Sequence, residues 1–178
     1  AFIELYGLDD YHTSIECLAF LTQYSSSEFA VRPFILKYPD QMMGQMLIWA
    51  DSDNLHIRRL ASEGCRSRLP WACALPVFKK DPTAIFPILE KLKDDDEDYV
   101  YRSVANNLND ISKDNPEIVV KIANEWMQGA PSKNRRWLVK HACRGLLKSA
   151  QPEILTLFGF TCPKHIVVKQ FMVDKEVK

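Results

Sequence analysis

The stretch His56-Ile-Arg-Arg-Leu-Ala-Ser-Glu-Gly-Cys-Arg-Ser-Arg-Leu-Pro-Trp71 combines several charges with helical apolar spacing. Arg59, Glu63 and Arg66 recur at i, i+4 and i+7, so on an α-helix they form one narrow stripe. Apolar and small residues share the other side. The spacing predicts an amphipathic helix with a buried apolar face and one carboxylate held between two guanidinium groups on the exposed face. On its own, such a stripe is more often a solvated helix surface with weak ion pairs than a site.

Length and charge limit the class of protein. A chain of 178 residues can bury one good-sized core. Lys and Arg number 23 and Asp and Glu number 23, so any basic surface must come from sorting of charge within the fold. The sequence predicts such sorting, because acidic residues concentrate at 94–98 while many arginines lie inside amphipathic segments.

Proline positions mark helix starts, because proline lacks the N–H that the first turn of a helix leaves unpaired anyway. Helical patterns follow Tyr38-Pro39, Asp81-Pro82, Asn115-Pro116 and Gln151-Pro152, with Asp81 and Asn115 as predicted N-caps. Together with apolar periodicity, these positions predict helices at 11–24, 27–37, 39–51, 54–68, 72–79, 82–93, 97–113, 116–128, 132–149 and 152–158. No confident strand pattern precedes Cys162, so an all-α domain is predicted.

The predicted helices recur in pairs. Ile57-Arg-Arg-Leu-Ala61 aligns with Val100-Tyr-Arg-Ser-Val104 after about 43 positions, and a third segment opens near Arg136. This recurrence favours an α-solenoid of HEAT-like antiparallel helix pairs. A closed four-helix bundle also explains short antiparallel helices, but it does not predict a repeat.

The second helix of each predicted pair carries a polar stripe. The three stripes are Arg59, Glu63 and Arg66; Arg102, Asn106, Asn109 and Asp110; and Arg136, Lys140 and Arg144. In a solenoid the second helices line one concave surface, and their apolar faces turn towards the outer layer. We therefore expect Glu63 and Asp110 in one positively charged groove, with residues 94–98 turned away from it.

Three strings carry a resemblance to a known family: Arg59-Leu-Ala-Ser-Glu-Gly64, Val104-Ala-Asn-Asn-Leu-Asn-Asp110 and Arg135-Arg-Trp-Leu-Val-Lys-His-Ala-Cys-Arg-Gly-Leu-Leu-Lys148. The chain resembles the alkylpurine DNA glycosylases built from HEAT-like repeats, the AlkC branch more than the AlkD branch, over about residues 28–160. The resemblance implies a monomeric glycosylase that removes positively charged alkylated bases, such as 3-methyladenine, from double-stranded DNA by hydrolysis.

The same resemblance assigns roles to residues. Glu28, Glu63 and Asp110 match the active-site carboxylates of the family, and Arg59 and Arg66 match its accompanying arginines. Glu28 depends on the shorter string Ser26-Ser-Glu-Phe-Ala-Val-Arg-Pro-Phe34. The remaining cations of the stripes are expected to bind DNA: Arg102, Arg136, Lys140 and Arg144. Tryptophans beside the lesion share the work in the AlkD branch, and the candidates are Trp71, Trp126 and Trp137, although aromatic residues at helical spacing are more often core.

Carboxylates suit this chemistry. An alkylated purine already carries a positive charge, so it leaves as a neutral base without a general acid. The catalyst must stabilise an oxocarbenium-like sugar and present water. A HEAT-type scaffold that binds DNA or protein without catalysis stays open as the alternative, because the fold serves binding more often than chemistry.

Other classes of function lack their motifs. The sequence has no Gly-x-Gly-x-x-Gly, phosphate-binding loop, His-Glu-x-x-His or clustered Cys/His set, so neither a metal nor a cofactor is predicted. Five widely spaced cysteines and the lack of an apolar run of about 18 residues predict a reduced, soluble, cytoplasmic protein with no membrane contact. Binding to DNA would associate it with a bacterial nucleoid.

The two ends of the chain differ from its middle. Ala1 is followed at once by apolar residues, which is typical of a fragment or a clipped product, so the predicted repeat domain (1–160) is expected to lack the first helices of the family's array. The run Ile166-Val-Val-Lys-Gln-Phe-Met-Val173 is strand-like. The tail (161–178) resembles the start of the immunoglobulin-like domain that follows the repeats in the AlkC branch. A tail packed along the last repeat is equally compatible with this pattern.

Overall fold

The computed structural model describes residues 2–160, and every regular element in that range is helical. The α-helices are α1 Phe2–Tyr6, α2 Tyr11–Leu21, α3 Arg32–Lys37, α4 Pro39–Trp49, α5 Leu55–Gly64, α6 Pro76–Lys80, α7 Phe86–Leu92, α8 Asp98–Ile111, α9 Pro116–Trp126, α10 Lys133–Ala142, α11 Arg144–Lys148 and α12 Pro152–Leu157. A 3-10 turn, Thr83–Ile85, leads into α7. The predicted strand and the tail at 161–178 lie outside the described residues.

The helices form two layers of antiparallel pairs, which confirms the all-α solenoid. In the inner layer, α8 lies between α5 and α10 and packs along both of them. The helices that precede them in the chain, α4, α7 and α9, pack against them from the outside, and α12 lies against α9 and α11. Three consecutive inner helices therefore lie side by side, as the sequence repeat predicts.

The predicted apolar faces of the inner helices form the core between the layers. Val100, Val104, Leu108 and Ile111 of α8 are all buried. So are Leu138 and Ala142 of α10, together with Leu146 of α11. Burial of these faces leaves the polar sides of α5, α8 and α10 on the opposite surface of the inner layer, because a helix can turn only one face to the core.

The end of α5 differs from its prediction, because the helix stops at Gly64 and does not reach residue 68. A Cβ at Gly64 would lie 2.7 Å from a methyl carbon of Val31, so only glycine allows the chain around Val31 to approach this closely. Cys65 caps the helix with φ −92° and ψ 6°. Arg66 therefore lies in the following turn, where its amide bonds to the Glu63 carbonyl at 3.3 Å.

The predicted helix at 27–37 begins late, at Arg32, so Glu28 lies in a turn and not on a helix. The hydroxyl of Ser27 donates to the Leu18 carbonyl at 3.1 Å and does not cap a helix. This bond to the preceding helix holds the segment outside α3. The helical spacing of the residues around Glu28 could not reveal it, because the partner lies nine residues away.

Other boundaries also shifted. The segment predicted as one helix at 132–149 divides at Cys143 into α10 and α11. Asn115 does not cap α9, since its side-chain amide donates to the Lys79 carbonyl at 2.9 Å. Asp81 accepts from the Thr83 amide at 3.0 Å, as expected of a cap. The short α1 was not predicted.

Within residues 2–160, no helix is long and apolar enough to cross a membrane. The cysteines in that range, Cys17, Cys65, Cys73 and Cys143, are free thiols. Burial raises the pKa of the Cys65 and Cys143 thiols to about 12 in each case. Both therefore behave as small apolar core residues.

Candidate active site

Glu63 lies in the last turn of α5 on the side that faces α8, and only 5% of the residue is exposed. Its Oε1 accepts a hydrogen bond from Arg66 Nη1 at 2.5 Å and lies 3.6 Å from Arg59 Nη2. Its Oε2 accepts from the Ser103 hydroxyl of α8 at 2.6 Å. The carboxylate is thus held between two guanidinium groups, as predicted, but in a buried position.

Asp110 lies in the last turn of α8 and is 3% exposed. Its Oδ2 accepts from Arg66 Nε at 2.8 Å and lies 2.7 Å from Arg66 Nη2. Its Oδ1 accepts from Lys113 Nζ at 3.1 Å. Arg66 therefore bridges Glu63 and Asp110, and the two carboxylates face the same space between neighbouring inner helices.

Glu28 approaches the same space from the turn before α3. Its Oε2 accepts hydrogen bonds from Arg59 Nη1 and from the Ser26 hydroxyl. Arg59 Nη1 also donates to Ser26 Oγ at 2.7 Å, and the guanidinium carbon lies 4.7 Å from the centre of the Tyr99 ring. The aromatic face holds the guanidinium in place through a cation–π contact.

These five side chains form one network, which we call the carboxylate cluster: Glu28, Arg59, Glu63, Arg66 and Asp110. Acids and bases alternate along it. Its three carboxylates exceed its two largely buried guanidinium groups by one negative charge, and only Lys113, which pairs with Asp110 and has a half-exposed side chain, offsets that charge. Burial alone would lower the pKa of Arg66, but the charges of Glu63 and Asp110 outweigh that effect and raise it above its ordinary value. Water screens the cluster poorly, because most of it is buried.

The structure corrects the expected setting of this stripe and adds residues to it. Glu63 and Arg66 do not lie on an exposed helix face, because α8 covers them and Arg66 lies beyond the helix end. Lys113, three residues after Asp110, could have been found from helical spacing. Ser26 lies only two residues before Glu28, its local partner. The contributions of Ser103 and Tyr99 depend on packing between distant segments, and nothing in the local sequence indicates them.

The predicted DNA-binding residues lie on α8, α10 and α11. Arg144 donates to Asn106 Oδ1 at 3.1 Å and to the His141 carbonyl at 2.7 Å. Burial lowers the pKa of Arg144, while the charge of Asp110 acts to raise it, so this guanidinium lies near the carboxylate cluster. Arg136 and Lys140 are exposed along α10.

Arg102 is exposed, and its position departs from the expectation for the acidic stretch at 94–98. It forms an ion pair with Asp98 at 2.5 Å, and its guanidinium carbon lies 4.9 Å from the centre of the Trp137 ring. Asp98 belongs to the acidic stretch, yet it lies beside a predicted DNA-binding arginine. The reason is local, because Asp98 lies in the first turn of α8, one turn before Arg102 on the same face.

The neighbouring acids of that stretch form a second cluster, which we call the loop cluster: Arg58, Asp94, Asp95 and Arg135. Arg58 binds both oxygens of Asp95, with distances of 2.6 Å from Nε and 3.2 Å from Nη2. Arg135 also binds both oxygens of Asp94. This cluster joins α5 and α10 to the loop before α8.

The tryptophans differ sharply in exposure. Trp71 is 98% exposed, and its φ of 62° lies in the left-handed region, which bulky residues rarely adopt. Trp126 is buried and donates to Glu90 Oε2 at 2.7 Å. Trp137 is stacked on His141, with 4.7 Å between ring centres, and lies against Arg102. Trp71 is therefore the candidate whose ring is free to meet a ligand.

No set of three or more His, Cys, Asp or Glu side chains within residues 2–160 is placed to hold a metal ion. Arginines separate the three carboxylates of the carboxylate cluster from one another. The cluster therefore offers anionic oxygens and bound cations side by side, an arrangement suited to a cationic ligand that also carries phosphates.

Comparison with known proteins agrees with this arrangement. Residues 22–146 match the family described as DNA alkylation repair enzyme. The chain is 48% identical over 179 residues to the uncharacterized protein YhaZ of Bacillus subtilis (strain 168), a match that covers 94% of this chain and 50% of that protein. It is also similar to the Pseudomonas fluorescens alkylpurine DNA glycosylase AlkC bound to DNA containing an abasic site analog, with a TM-score of 0.85 and 41% identity.

The AlkC match covers 89% of this chain and 44% of that one, so the chain spans about half the length of these relatives. The matched family segment contains every residue of the carboxylate cluster. It also contains the predicted DNA-binding cations Arg102, Arg136, Lys140 and Arg144. On these matches, the chain belongs to the DNA alkylation repair enzyme family.

Proposed function

We propose that the protein is a DNA glycosylase that hydrolyses the N-glycosidic bond of positively charged alkylated bases of the 3-methyladenine type in double-stranded DNA. The observation that carries this proposal is the carboxylate cluster, in which three carboxylates share two largely buried arginines and the one further cation, Lys113, is half-exposed. Membership of a DNA alkylation repair family supports it. So does the likeness to an alkylpurine DNA glycosylase solved with DNA.

The reaction needs little from the protein except fixed negative charge and a water molecule. The bond between the sugar carbon and the base nitrogen breaks, and both of its electrons go to the base, which leaves neutral. The sugar becomes oxocarbenium-like, and carboxylates held in advance at that position stabilise it without reorganising. Water then adds to the sugar carbon and loses its proton to a carboxylate.

The contacts in the cluster suggest how its members divide this work. Glu63 and Asp110 are nearly buried and held by Arg66, so we assign them the stabilisation of the sugar cation. The Glu28 side chain is 18% exposed, the most of the three carboxylates. We assign Glu28 the orientation of the attacking water, because a water molecule can reach it from the groove.

We assign binding of DNA phosphates to the cations in and around the cluster: Arg59, Arg66, Arg102, Arg136, Lys140 and Arg144. Arg136 and Lys140 carry no side-chain ion pair among the described residues, so they are the most available to phosphate. Arg66 uses its donors on Glu63 and Asp110, so its share in phosphate binding is expected to be the smallest. The exposed ring of Trp71 is available to the duplex. We propose that the protein acts as a monomer and, by binding DNA, is located at the nucleoid.

One observation favours the alternative, a non-catalytic scaffold. Arg66 bridges Glu63 of α5 and Asp110 of α8, and Ser103 of α8 donates to Glu63. A purely structural network between two repeats would have the same bonds. Such a network has no need of a third carboxylate, however. Glu28 is that third carboxylate, and it approaches from a different segment of the chain.

The test of the proposed function is release of free base. Intact protein is incubated with methylated double-stranded DNA, and free methylated bases are separated by chromatography and counted over time. We expect release of alkylated purines that rises with time and enzyme. A protein that binds this DNA and releases no base would favour the scaffold.

A further inference from the structure

Arg32 is the largest of the fully buried side chains, with 0% exposure. Its Nε donates to the Cys73 carbonyl at 2.6 Å, and its Nη1 donates to the carbonyls of Gly64 and Arg66 at 2.9 and 2.8 Å. Its Nη2 has no hydrogen-bond partner among the described residues. A guanidinium is therefore buried against backbone carbonyls alone, and no carboxylate pairs with it in residues 2–160.

Such burial is costly, because a charge removed from water is normally paired with an opposite charge. Burial lowers the pKa of Arg32, and the nearby Cys73 side chain only partly opposes this. An apolar side chain of similar size would fill the same volume without that cost. The contribution of Arg32 must therefore come from its hydrogen bonds to the three backbone carbonyls.

These three carbonyls belong to the two ends of one segment. Gly64 and Arg66 lie at the end of α5, and Cys73 lies shortly before α6. The segment between them has no regular helix or strand. Arg32 also lies at the start of α3, directly after the turn that carries Glu28, and its amide bonds to the Phe29 carbonyl at 3.3 Å. One side chain thus connects the turn of Glu28 to the turn of Arg66.

The carbonyls of Gly64 and Arg66 need donors from outside the helix. If α5 continued, the Arg66 carbonyl would accept from the amide of residue 70, and that residue is Pro70, which has no N–H. Arg32 supplies the missing donors. A planar guanidinium can reach three carbonyls with two nitrogens, which a lysine ammonium on a flexible stem does less well.

We propose that Arg32 is a positioning residue for the carboxylate cluster. By holding the backbone at Gly64 and Arg66, it ends α5 before Arg66, and the Arg66 side chain can then bridge Glu63 and Asp110. The consequence for base excision rests on the proposed function. The effect on the position of Arg66 does not.

The first test measures that position directly by NMR of arginine side chains. The Arg66 Nε–H bonds to buried Asp110, so its signal should be sharp and exchange slowly with water in the wild-type protein. Arg32→Met removes the donors and keeps the bulk, and it should make the Arg66 signal exchange at least about tenfold faster. The Nε–H of Arg135, which binds Asp94 in the loop cluster away from the segment that Arg32 holds, is the internal control and should not change.

Arg32→Lys keeps the charge and should give an intermediate exchange rate. An unchanged Arg66 signal in either folded variant would overturn the proposal. So would loss of the fold in both variants, because Arg32 would then be a stability residue and nothing more.

The second test is a double-mutant cycle on single-turnover base excision at saturating enzyme. Arg32→Met should lower the rate about tenfold in the wild-type background and less than about twofold when Arg66→Ala is already present, because the two side chains act through one another. The matched control is Arg58→Met on α5, since Arg58 also holds backbone carbonyls, those of Ser52 and Asp53. Its effect on the rate should be the same in both backgrounds.

An equal loss for Arg32→Met in both backgrounds would mean that Arg32 does not act through Arg66, and the proposal would be wrong. If the wild-type protein releases no base at all, the proposed function fails. The NMR comparison still decides the role of Arg32 in that case.

Discussion

Arg58 and Arg59 are neighbours in the sequence, yet they belong to different clusters. Arg58 joins the loop cluster, where each arginine binds both oxygens of one aspartate. Arg59 joins the carboxylate cluster, where two arginines are shared among three carboxylates. Both clusters connect adjacent helical repeats with the same kinds of side chain. They differ in the balance of charge and in what remains available to a ligand.

In our proposal, the balance of charge distinguishes the active site from structural ion pairs. In the loop cluster, cations and anions match one to one, and the hydrogen bond to Asp95 raises the pKa of Arg58. Such pairs hold the loop before α8 and leave little net charge. In the carboxylate cluster three carboxylates face two largely buried arginines, and water screens the third cation, the half-exposed Lys113. A field that favours a cation therefore remains among the buried groups. The following experiments test whether this difference in charge balance decides function.

The largest effect is expected from Glu63→Gln. Glutamine keeps the size of Glu63, can accept from Arg66 through Oε1 and can donate from Nε2 to the Ser103 hydroxyl oxygen, so the fold should persist. The negative charge near the developing sugar cation is lost, however. We expect base excision to fall at least about tenfold, roughly 1.4 kcal/mol of barrier. The measurement is the single-turnover rate on methylated DNA, with circular dichroism as the check on folding. A wild-type rate in the folded variant would contradict the assignment of Glu63 to stabilising the sugar cation.

The counterpart in the loop cluster is Asp95→Asn. The Asp95 side chain is 7% exposed, accepts two bonds from Arg58 and also accepts from the Glu97 amide at 2.9 Å. Loss of its charge should lower the free energy of unfolding by about 1 kcal/mol. Denaturant titration measures this, and the excision rate should stay within about twofold of wild type. A large loss of excision with little loss of stability would erase the distinction between the clusters.

The contribution of paired and unpaired cations to DNA binding can be tested on the neighbouring residues Arg135 and Arg136. Arg135 is paired with Asp94, whereas Arg136 and Lys140 are exposed without a carboxylate partner among the described residues. Arg136→Ala or Lys140→Ala should reduce the slope of log affinity against log salt by about 0.9 each for duplex DNA. Arg135→Ala is the matched control and should leave the slope unchanged. A wild-type slope in all three variants would mean that Arg136 and Lys140 do not contact the phosphates.

The smallest effect concerns His141, which stacks on Trp137 near Arg102 and Arg144. Burial lowers the pKa of His141 below 6.5, and both arginines add to this. The unfolded chain therefore binds this proton more readily, so the contribution to stability is present above about pH 6.5 and is lost as the pH falls through the folded pKa.

The melting temperature of the wild-type protein should accordingly fall as the pH is lowered from about 7.5 to about 5. In His141→Gln this fall should be smaller by about 1–3 °C. His12 is exposed, and the variant His12→Gln serves as the control that keeps the wild-type pH dependence. The same pH dependence in His141→Gln as in wild type would mean that His141 titrates normally in the folded protein.

The sequence predicted the architecture well, because apolar periodicity reports directly which face of a helix is buried. The spacing of Val100, Val104, Leu108 and Ile111 identified the core side of α8, and the repeat placed α5 beside α8. The contact between Glu63 and Arg59 also follows from helical spacing. These predictions depend only on residues within one helix or one repeat.

The remaining details depend on contacts between distant parts of the chain, which local spacing cannot reveal. The close approach of Val31 and the guanidinium of Arg32 end α5 at Gly64, and both come from another segment. Because α5 ends early, Arg66 lies beyond the helix and bridges Glu63 to Asp110. The predicted stripe is therefore not an exposed helix face. The hydroxyl of Ser103 reaches Glu63 from a different helix, and no pattern around Ser103 predicts that bond.

The most direct test of the central claim compares two aspartates, one from each cluster, with the same chemical change. Asp110→Asn and Asp95→Asn each remove one negative charge from a nearly buried side chain held by an arginine. Free methylated base released from methylated DNA is measured for both variants and for wild type under single-turnover conditions. We expect release by Asp95→Asn to stay within about twofold of wild type and release by Asp110→Asn to fall at least about tenfold. Equal release by the two variants would contradict the account, because the surplus charge of the carboxylate cluster would then have no part in excision.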